Sequence, residues 1–520
     1  MNNLHLLWND YRYFPYERML GKREAKALFG TEPIEQDGIL HLQNAADTIE
    51  RAQRLTYFKG VRSADGVIVP DQAKLEASGN GNGGPWDPKE QPIPSLNRQV
   101  TRYSAHGLHE YRGKFNPQVV RAIGNLLKWE PEQWVLDPFC GSGTTLLEAA
   151  HIGWNAIGTD MNPLAVLIAN AKLTAFNTSP AVLSRESEAL TDRIAEGSNG
   201  ADWQDHLPEP DYLARWFPEK VLRQLRAILL AISDTHPKPL QDVFRVVLSD
   251  VCREVSFQDP GDLRIRRRKD SADNYPAIEM FLASLSVKIR SIIRARKYIH
   301  PKKGTVQQAI ISDTRDSVHA IRSLLGNNGR EFVDGAITSP PYATAMPYLD
   351  TQRLSLALLG LISSKNLRTD EKKLIGNREI QNRERLSLEA QLRSNTSELP
   401  EGVIQFCKQL LEAAEHKNHG FRRRNVPALV YKYLVDMAQM FKSVRKVVRR
   451  GGSYTLLVGK NTTTLRGEKI QIDTPQLLSK VAVSRGWHVE EKLSFETYHR
   501  FDLHQSNSIR EEVLLILRNG

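Results

Sequence analysis

Apolar and polar positions follow two rhythms along this chain. In residues 1–77, "KREAKALF" and "LQNAADTIERAQRL" read as helical, so the region is expected to be mainly helical. From about residue 98, short apolar runs alternate with helical stretches. "QWVLDPF" predicts a strand running into a turn, "TTLLEAAHIG" a helix, "NAIGTD" a second strand and "PLAVLIANAKL" a second helix. Strands are expected again in "QQAIISD", "FVDGAITSPP" and "SYTLLVGKN", with a helix in "LVDMAQMFKSVRKVVRRGG" before the last of these. "WHVEEKLSFETY" and "REEVLLILRNG" predict a terminal antiparallel strand pair. This alternation specifies an α/β fold, a doubly wound and mostly parallel sheet with ligands at the carboxyl ends of its strands.

Several stretches break the rhythm. "ASGNGNGGPWDPKEQPIPS" is rich in Gly, Pro and Asn and marks a linker, set at 78–97. The alternating pattern occupies 98–180, 306–362 and 426–520. Between these lie a largely helical, basic insertion at 181–305, with "LRIRRRKD" and "VKIRSIIRARKYIHPKK", and a polar helical insertion at 363–425, ending in "HKNHGFRRRNVP". No internal repeat is evident.

Composition adds one bias. The 520 residues carry a formal net charge of +11 and a pI near 9.4, which favours an anionic partner, nucleic acid being the usual one. Residues 253–303 hold 13 Lys or Arg against 6 Asp or Glu, and "FRRRN" (421–425) is a second basic cluster. Phosphate contacts of this kind supply affinity without sequence choice. Cys140, Cys252 and Cys407 are too dispersed for a disulfide framework or a zinc site, so no metal is expected. No apolar run approaches the length of a membrane span, and the N-terminus lacks a signal-peptide layout, so a cytoplasmic location with no membrane partner is expected.

"VLDPFCGSGTTLLEAA" (135–150) is a strand, a glycine turn and a helix start. Gly141 and Gly143 admit close backbone approach, and the helix presents free amide groups. The absence of a Gly-Lys-Ser/Thr ending argues against ATP or GTP. Leu146 stands where a dinucleotide fingerprint needs its third glycine, which argues against NAD or FAD. Asp160 ends the next strand, where a carboxylate suits a ribose, and Asp137 beside the loop suits a cationic ligand. A nucleoside with a cationic amino-acid tail, S-adenosylmethionine, meets both demands.

Further along, "FVDGAITSPPYATAMPYLD" (332–350) ends a strand at two prolines, which cannot donate to a central ladder. Alone, such a pair makes a structural turn. Taken with the glycine loop, it resembles the catalytic corner of the DNA amino-methyltransferases, whose form is Asp, Asn or Ser followed by Pro-Pro-aromatic. "DPFCGSGTT" resembles that family's cofactor motif, "HEYRGKFNPQVVRAI" (109–123) the segment preceding it, and "MAQMFKSVRKVVRRGGSYTLLVG" the later helix, turn and strand. The four segments stand in the family's order and leave the N-terminal region and both insertions uncovered.

The resemblance implies S-adenosylmethionine as cofactor, with Lys114, Phe115, Asp137, Pro138, Phe139, Gly141, Gly143, Thr144, Asp160 and Asp313 on its side of the site. It implies Ser339, Pro340, Pro341 and Tyr342 as the catalytic corner. The Ser339 side chain and the Pro340 carbonyl would orient the hydrogens of an exocyclic amine, and Tyr342 would stack on an extruded base. Ser at the first position resembles the cytosine-N4 subgroup, with adenine-N6 and RNA methylation as rivals, and a DNA-binding module on a decayed methylase fold as a non-enzymatic one. Cytosine C5 chemistry would need a Pro-Cys dipeptide, which is absent; Cys140 is expected to pack in the loop. Double-stranded DNA is the implied partner, with a cognate restriction or phage-defence component as a second candidate. The 181–305 insertion is the first candidate for target recognition.

Overall fold

Trp134–Asp137 is a strand buried along its whole length, and the alternation of its side chains sets the layering of the molecule. Val135 and Ala156 feed one hydrophobic core, and Leu136 and Ile157 feed another on the opposite face. The computed structural model describes residues 2–45, 48–79, 99–111, 113–197, 204–259, 266–268, 275–343, 347–414, 420–496 and 511–520. In chain order its strands are β1 (Asn2–Trp8), β2 (Ile34–Gln36), β3 (Ile39–Ala45), β4 (Phe58–Ser63), β5 (Gly66–Ile68), β6 (Trp134–Asp137) and β7 (Asn155–Asp160). They continue as β8 (Gln307–Ile311), β9 (Val333–Thr338), β10 (Val448–Gly459), β11 (Asn461–Leu465), β12 (Glu468–Ile472), β13 (Trp487–Glu496) and β14 (Glu511–Asn519).

Seven of these form the central sheet, in the order β13-β14-β10-β9-β6-β7-β8. The ladders from β10 through β9, β6 and β7 to β8 are parallel, while β14 runs antiparallel to both β10 and β13. The α/β sheet and its terminal antiparallel pair are as expected. The chain leaves β6 toward β7 and β8, then returns to β9 on the other side, so the sheet changes winding direction between β6 and β9. In open α/β sheets that is where a crevice forms at the carboxyl ends.

The N-terminal region departs from the expectation. Instead of being mainly helical, it is a five-stranded antiparallel sheet, β2-β3-β1-β4-β5, carrying the helices Pro15–Phe29, Thr48–Arg54 and Asp71–Gly79. The signals were period-two burial of Leu4, Leu6 and Trp8, and two Asp-Gly pairs. Asp37 and Gly38 take φ of 52° and 74° in the β2–β3 turn, and Asp65-Gly66 turns β4 into β5. Most of the expected linker, 80–97, lies outside the described residues; its first positions finish the helix Asp71–Gly79.

Both insertions contribute helices. In 181–305 the helices Glu219–Ser233, Pro239–Cys252 and Ala277–Ala295 bury Leu225, Val247 and Ile289 in the first core. Of "LRIRRRKD", only 266–268 are among the described residues. In 363–425 the helix Glu401–Ala414 buries Val403, Ile404 and Leu410 in the second core, against the long helix Phe421–Arg445. No helix among the described residues is long and apolar enough to cross a membrane.

One buried polar network ties the segment before the glycine loop to the helix after it, Thr144–Ile152. The Glu148 carboxylate accepts from Tyr103 Oη (2.9 Å) and Arg121 Nε (3.1 Å), and its Oε1 lies 2.8 Å from His106 Nε2 and 3.1 Å from His151 Nδ1. Burial pulls His106 down to about 3, so its ring is neutral and serves as a hydrogen-bond partner. Glu148, His106 and His151 hold ligand-type atoms within 4.8 Å of one another, but the Arg121 guanidinium already supplies the countercharge at 2.9 Å. Replacing Arg121 with Leu leaves that carboxylate buried without its cation. The expected loss is about 3–5 kcal/mol of unfolding free energy, measured by urea denaturation; a loss below about 1 kcal/mol would contradict the ion-pair account.

Candidate functional site

After Asp137 the chain turns through Pro138, Phe139 and Cys140 into Gly141 and Gly143, then enters the helix Thr144–Ile152. Gly141 and Gly143 have φ of 47° and 76°, the left-handed region that a side chain resists. At Gly143 a Cβ would also come within 2.6 Å of Ala169 Cβ, so the residue lets two helices meet. Cys140 is buried, as expected, and burial pushes its thiol well above the ordinary range.

Asp137 binds the parts together. It accepts hydrogen bonds from Thr145 Oγ1 (2.6 Å) and Thr338 Oγ1 (2.7 Å), and from the Phe139 amide at 3.2 Å. Thr338 is the last residue of β9, immediately before Ser339. Burial pushes the Asp137 carboxyl up to about 6. Asp160, at the end of β7, accepts from the amides of Gly141 (3.0 Å) and Asn162 (2.9 Å), and burial raises it to about 6 as well.

A cavity of about 360 Å³ opens along the carboxyl ends of the strands. Its wall includes Lys114, Phe115, Pro138, Phe139, Gly141, Asp160 and Asp313 together with Ser339, Pro340, Pro341 and Tyr342. The glycine loop and the proline corner, about 200 residues apart in sequence, therefore share one space. Three expected residues stand behind its wall. Asp137 and Thr144 are each 3% exposed, and Gly143 faces Ala169, so these shape the loop without lining the cavity.

The individual groups are differently committed. The Ser339 hydroxyl makes no hydrogen bond among the described residues. Lys114 Nζ donates to the Thr101 carbonyl (3.2 Å), and burial pulls its ammonium down to about 8. Asp313 caps a short turn and is held by Arg315, whose guanidinium also reaches Asp436 at 2.8 Å. Tyr342 donates its hydroxyl to Glu512 Oε1 (2.6 Å), on β14. Sequence reasoning missed Glu512, Tyr16, Tyr111, Tyr348 and Phe495, all of which line the cavity. Tyr111 and Tyr348 lie within the quoted segments 109–123 and 332–350 without having been singled out, whereas Tyr16, Phe495 and Glu512 lie outside every motif and reach the cavity through strand pairing and the docked N-terminal region.

A groove of about 650 Å³ lies on the other side of segment 347–350. Tyr348 lines the cavity, while Pro347 and Asp350 line the groove with Arg368, Lys372, Arg378 and the exposed Phe421. None of the described residues of 181–305 lines the cavity, whereas Leu374 and Ile375 of the second insertion do.

Parts of this chain are similar to methyltransferases. Residues 108–200 match the family described as "UPF0020: RMKL-like, methyltransferase domain". The chain is 31% identical over 173 residues to Type II methyltransferase M.MvaI of Kocuria varians, covering 32% of this chain and 38% of that one. It is 43% identical over 74 residues to Type II methyltransferase M.MjaII of Methanocaldococcus jannaschii, 14% and 13% of the two chains. These two matches thus span well under half of the relatives' length. A longer match, 23% identical over 439 residues, joins 78% of this chain to 84% of Type II methyltransferase M.AvaI of Nostoc sp..

The shift at Asp137 sets a pH signature. Its ordinary value is 3.8 and its folded value about 6, so the folded state holds the proton more tightly and this residue's contribution declines as pH rises between the two. The stability advantage of the native protein over Asp137→Asn should therefore narrow by about 1–3 kcal/mol from pH 4 to pH 6 and stay level above. Urea unfolding of both proteins across that range measures it; a gap that widens with pH would refute the buried-carboxyl account.

Proposed function

We propose that this chain is an S-adenosylmethionine-dependent DNA methyltransferase that modifies the exocyclic N4 amine of cytosine. The observation that carries the reading is the single cavity uniting the Gly141 loop and Asp160 with Ser339–Tyr342. Two unrelated structural turns would have no reason to converge on one space at the sheet's switch point.

The residues present fit that cofactor. The Asp160 carboxyl stands on the wall, and among the described residues it accepts from the backbone amides of Gly141 and Asn162 and from no cationic side chain. A buried carboxylate without a cation calls for a positively charged ligand. Gly141 brings bare backbone to the wall, and Phe115 and Phe139 offer apolar surface to a purine. When bound, S-adenosylmethionine supplies an electrophilic methyl group on a sulfonium centre.

The protein's part is orientation. An exocyclic amine is a weak nucleophile because its lone pair is delocalised into the ring. The Ser339 hydroxyl and the Pro340 carbonyl accept its two hydrogens and turn the lone pair out of the ring plane. The proline pair holds these acceptors rigidly. The Tyr342 ring, anchored through its hydroxyl, is a stacking face for a base taken out of the helix. Serine in the first position supports cytosine over adenine, by resemblance to the N4 subgroup. The +11 charge and the groove with Arg368, Lys372 and Phe421 support DNA, and favour 363–425 over 181–305 as the segment beside the target. A cognate restriction or phage-defence component is proposed as a partner on the family resemblance.

Incubating the protein with DNA or RNA and methyl-tritiated cofactor, then separating nucleosides, should yield N4-methylcytosine from DNA. N6-methyladenine alone would overturn the cytosine assignment, and label in RNA alone the DNA assignment. Tyr342→Ala should bind cofactor normally and lose about 10–100-fold in turnover, as expected for about 1–3 kcal/mol of stacking. Lys114, with its ammonium pulled to about 8, is proposed to hold the cofactor's carboxylate. Affinity should therefore fall as pH rises through about 8, and Lys114→Met should lack that part of the decline in calorimetric titration.

A further inference from the structure

The far end of the cavity is built by elements outside every motif. Phe495 and Glu512 oppose each other across the β13–β14 ladder, and opposed residues of an antiparallel pair project to the same face. Glu512 also pairs with Gly459, the last residue of β10, so it lies at the same end of the sheet as Ser339. Tyr16 arrives from the N-terminal helix Pro15–Phe29, which is docked onto β13 by the bidentate Arg23–Glu491 pair at 2.7 and 2.5 Å. Its ring stacks on Phe495 with centroids 4.7 Å apart and 4° between planes, and the Phe14 ring lies near-parallel to it at 5.7 Å and 9°.

Tyr16 thus has two near-parallel aromatic neighbours and lines the cavity. Its hydroxyl makes no hydrogen bond among the described residues, although the side chain is only 8% exposed. Its neighbour Tyr13 behaves differently, accepting from the Asn9 amide (2.8 Å) and donating to the Tyr57 carbonyl (2.6 Å). A tyrosine kept only for packing would serve equally well as phenylalanine. Burial, with Glu17 and Glu512 nearby, raises the Tyr16 phenol well above its ordinary value, so the hydroxyl stays a donor. Glu512 accepts from Tyr342 through Oε1 and lines the same cavity as Tyr16.

We propose that the Tyr16 hydroxyl and the Glu512 carboxyl read the Watson–Crick edge of the extruded base beyond its amine, and that the donor they present there selects cytosine over adenine. This rests on the function proposed above. With the amine at Ser339 and Pro340, cytosine offers the acceptors N3 and O2 along that edge, whereas adenine offers N1 and then a C2–H. A buried donor facing O2 is satisfied by cytosine and left unpaired by adenine, the kind of mismatch that gives strong discrimination. The N-terminal sheet region thereby completes the site by holding Tyr16 in place.

The test uses the full-length protein, methyl-tritiated cofactor and mixed-sequence duplex DNA. Tyr16→Phe keeps both ring stacks, so its unfolding midpoint should match the native protein, and its affinity for S-adenosylhomocysteine should stay within twofold. Its kcat/KM for DNA should fall at least tenfold, with a lower ratio of N4-methylcytosine to N6-methyladenine. Glu512→Gln, which retains an acceptor for Tyr342 and a donor for the base, should stay within about threefold, whereas Glu512→Leu should lose more than tenfold. Tyr16→Phe activity within twofold of native would overturn the inference while leaving the proposed function standing. No label in the native protein would overturn both.

Discussion

The Asp137 carboxylate is the joint on which the site depends. One oxygen receives Thr338, at the end of β9, and the other receives Thr145, in the first turn of the helix after the glycine loop. Two segments far apart in sequence are thereby set in register by one buried group, at the point where the sheet reverses its winding. The cavity's two working walls, the loop and the proline corner, hang from opposite sides of it. The sequence suits Asp137 to a cationic ligand; in the structure it stands behind the cavity wall and joins the glycine loop's helix to β9.

That arrangement sets carboxyl groups on and behind the cavity wall. Asp137 is buried and Asp160 half-buried, and Asp160 adds only slightly to the cost of charging Asp137 beside the cost of burial itself. Hydrogen bonds from backbone amides and threonine hydroxyls offset part of that cost without supplying a positive charge. A cationic cofactor would supply it, so binding and the local stability of the loop are coupled through the same carboxylates.

The rest of the chain surrounds this centre in a definite way. The first insertion thickens one face of the sheet, and the second covers the other face and reaches the cavity rim through Leu374 and Ile375. The N-terminal region lies against β13 and delivers Tyr16 beside Phe495. Charge alone favoured 181–305 as the DNA-facing segment, because basic residues are countable from sequence. Which basic face borders the site is a matter of placement, and the groove with Arg368 and Lys372 belongs to the other insertion.

The central sheet and its proline corner were legible in the sequence because their signals are local. Buried parallel strands read as short apolar runs, glycines mark a left-handed turn, and two prolines end a ladder wherever they occur. All seven strands of the sheet are accounted for in this way, and Pro138, Phe139, Gly141 and Ser339–Tyr342 fall on the cavity wall, while Lys114, Phe115 and Asp313, expected only by resemblance, line it too. The N-terminal sheet was also locally encoded, in its Asp-Gly turns and the alternation of Leu4, Leu6 and Trp8, but the helical stretches beside it dominated the pattern. Tyr16, Phe495 and Glu512 are of another kind. Nothing adjacent to them in sequence marks them, because they meet only through an antiparallel register and the docking of a separate region. Local sequence thus determined the scaffold and the chemistry at the strand ends, and tertiary packing alone decided what closes the far side of the cavity, since long-range contacts leave no periodic trace along the chain.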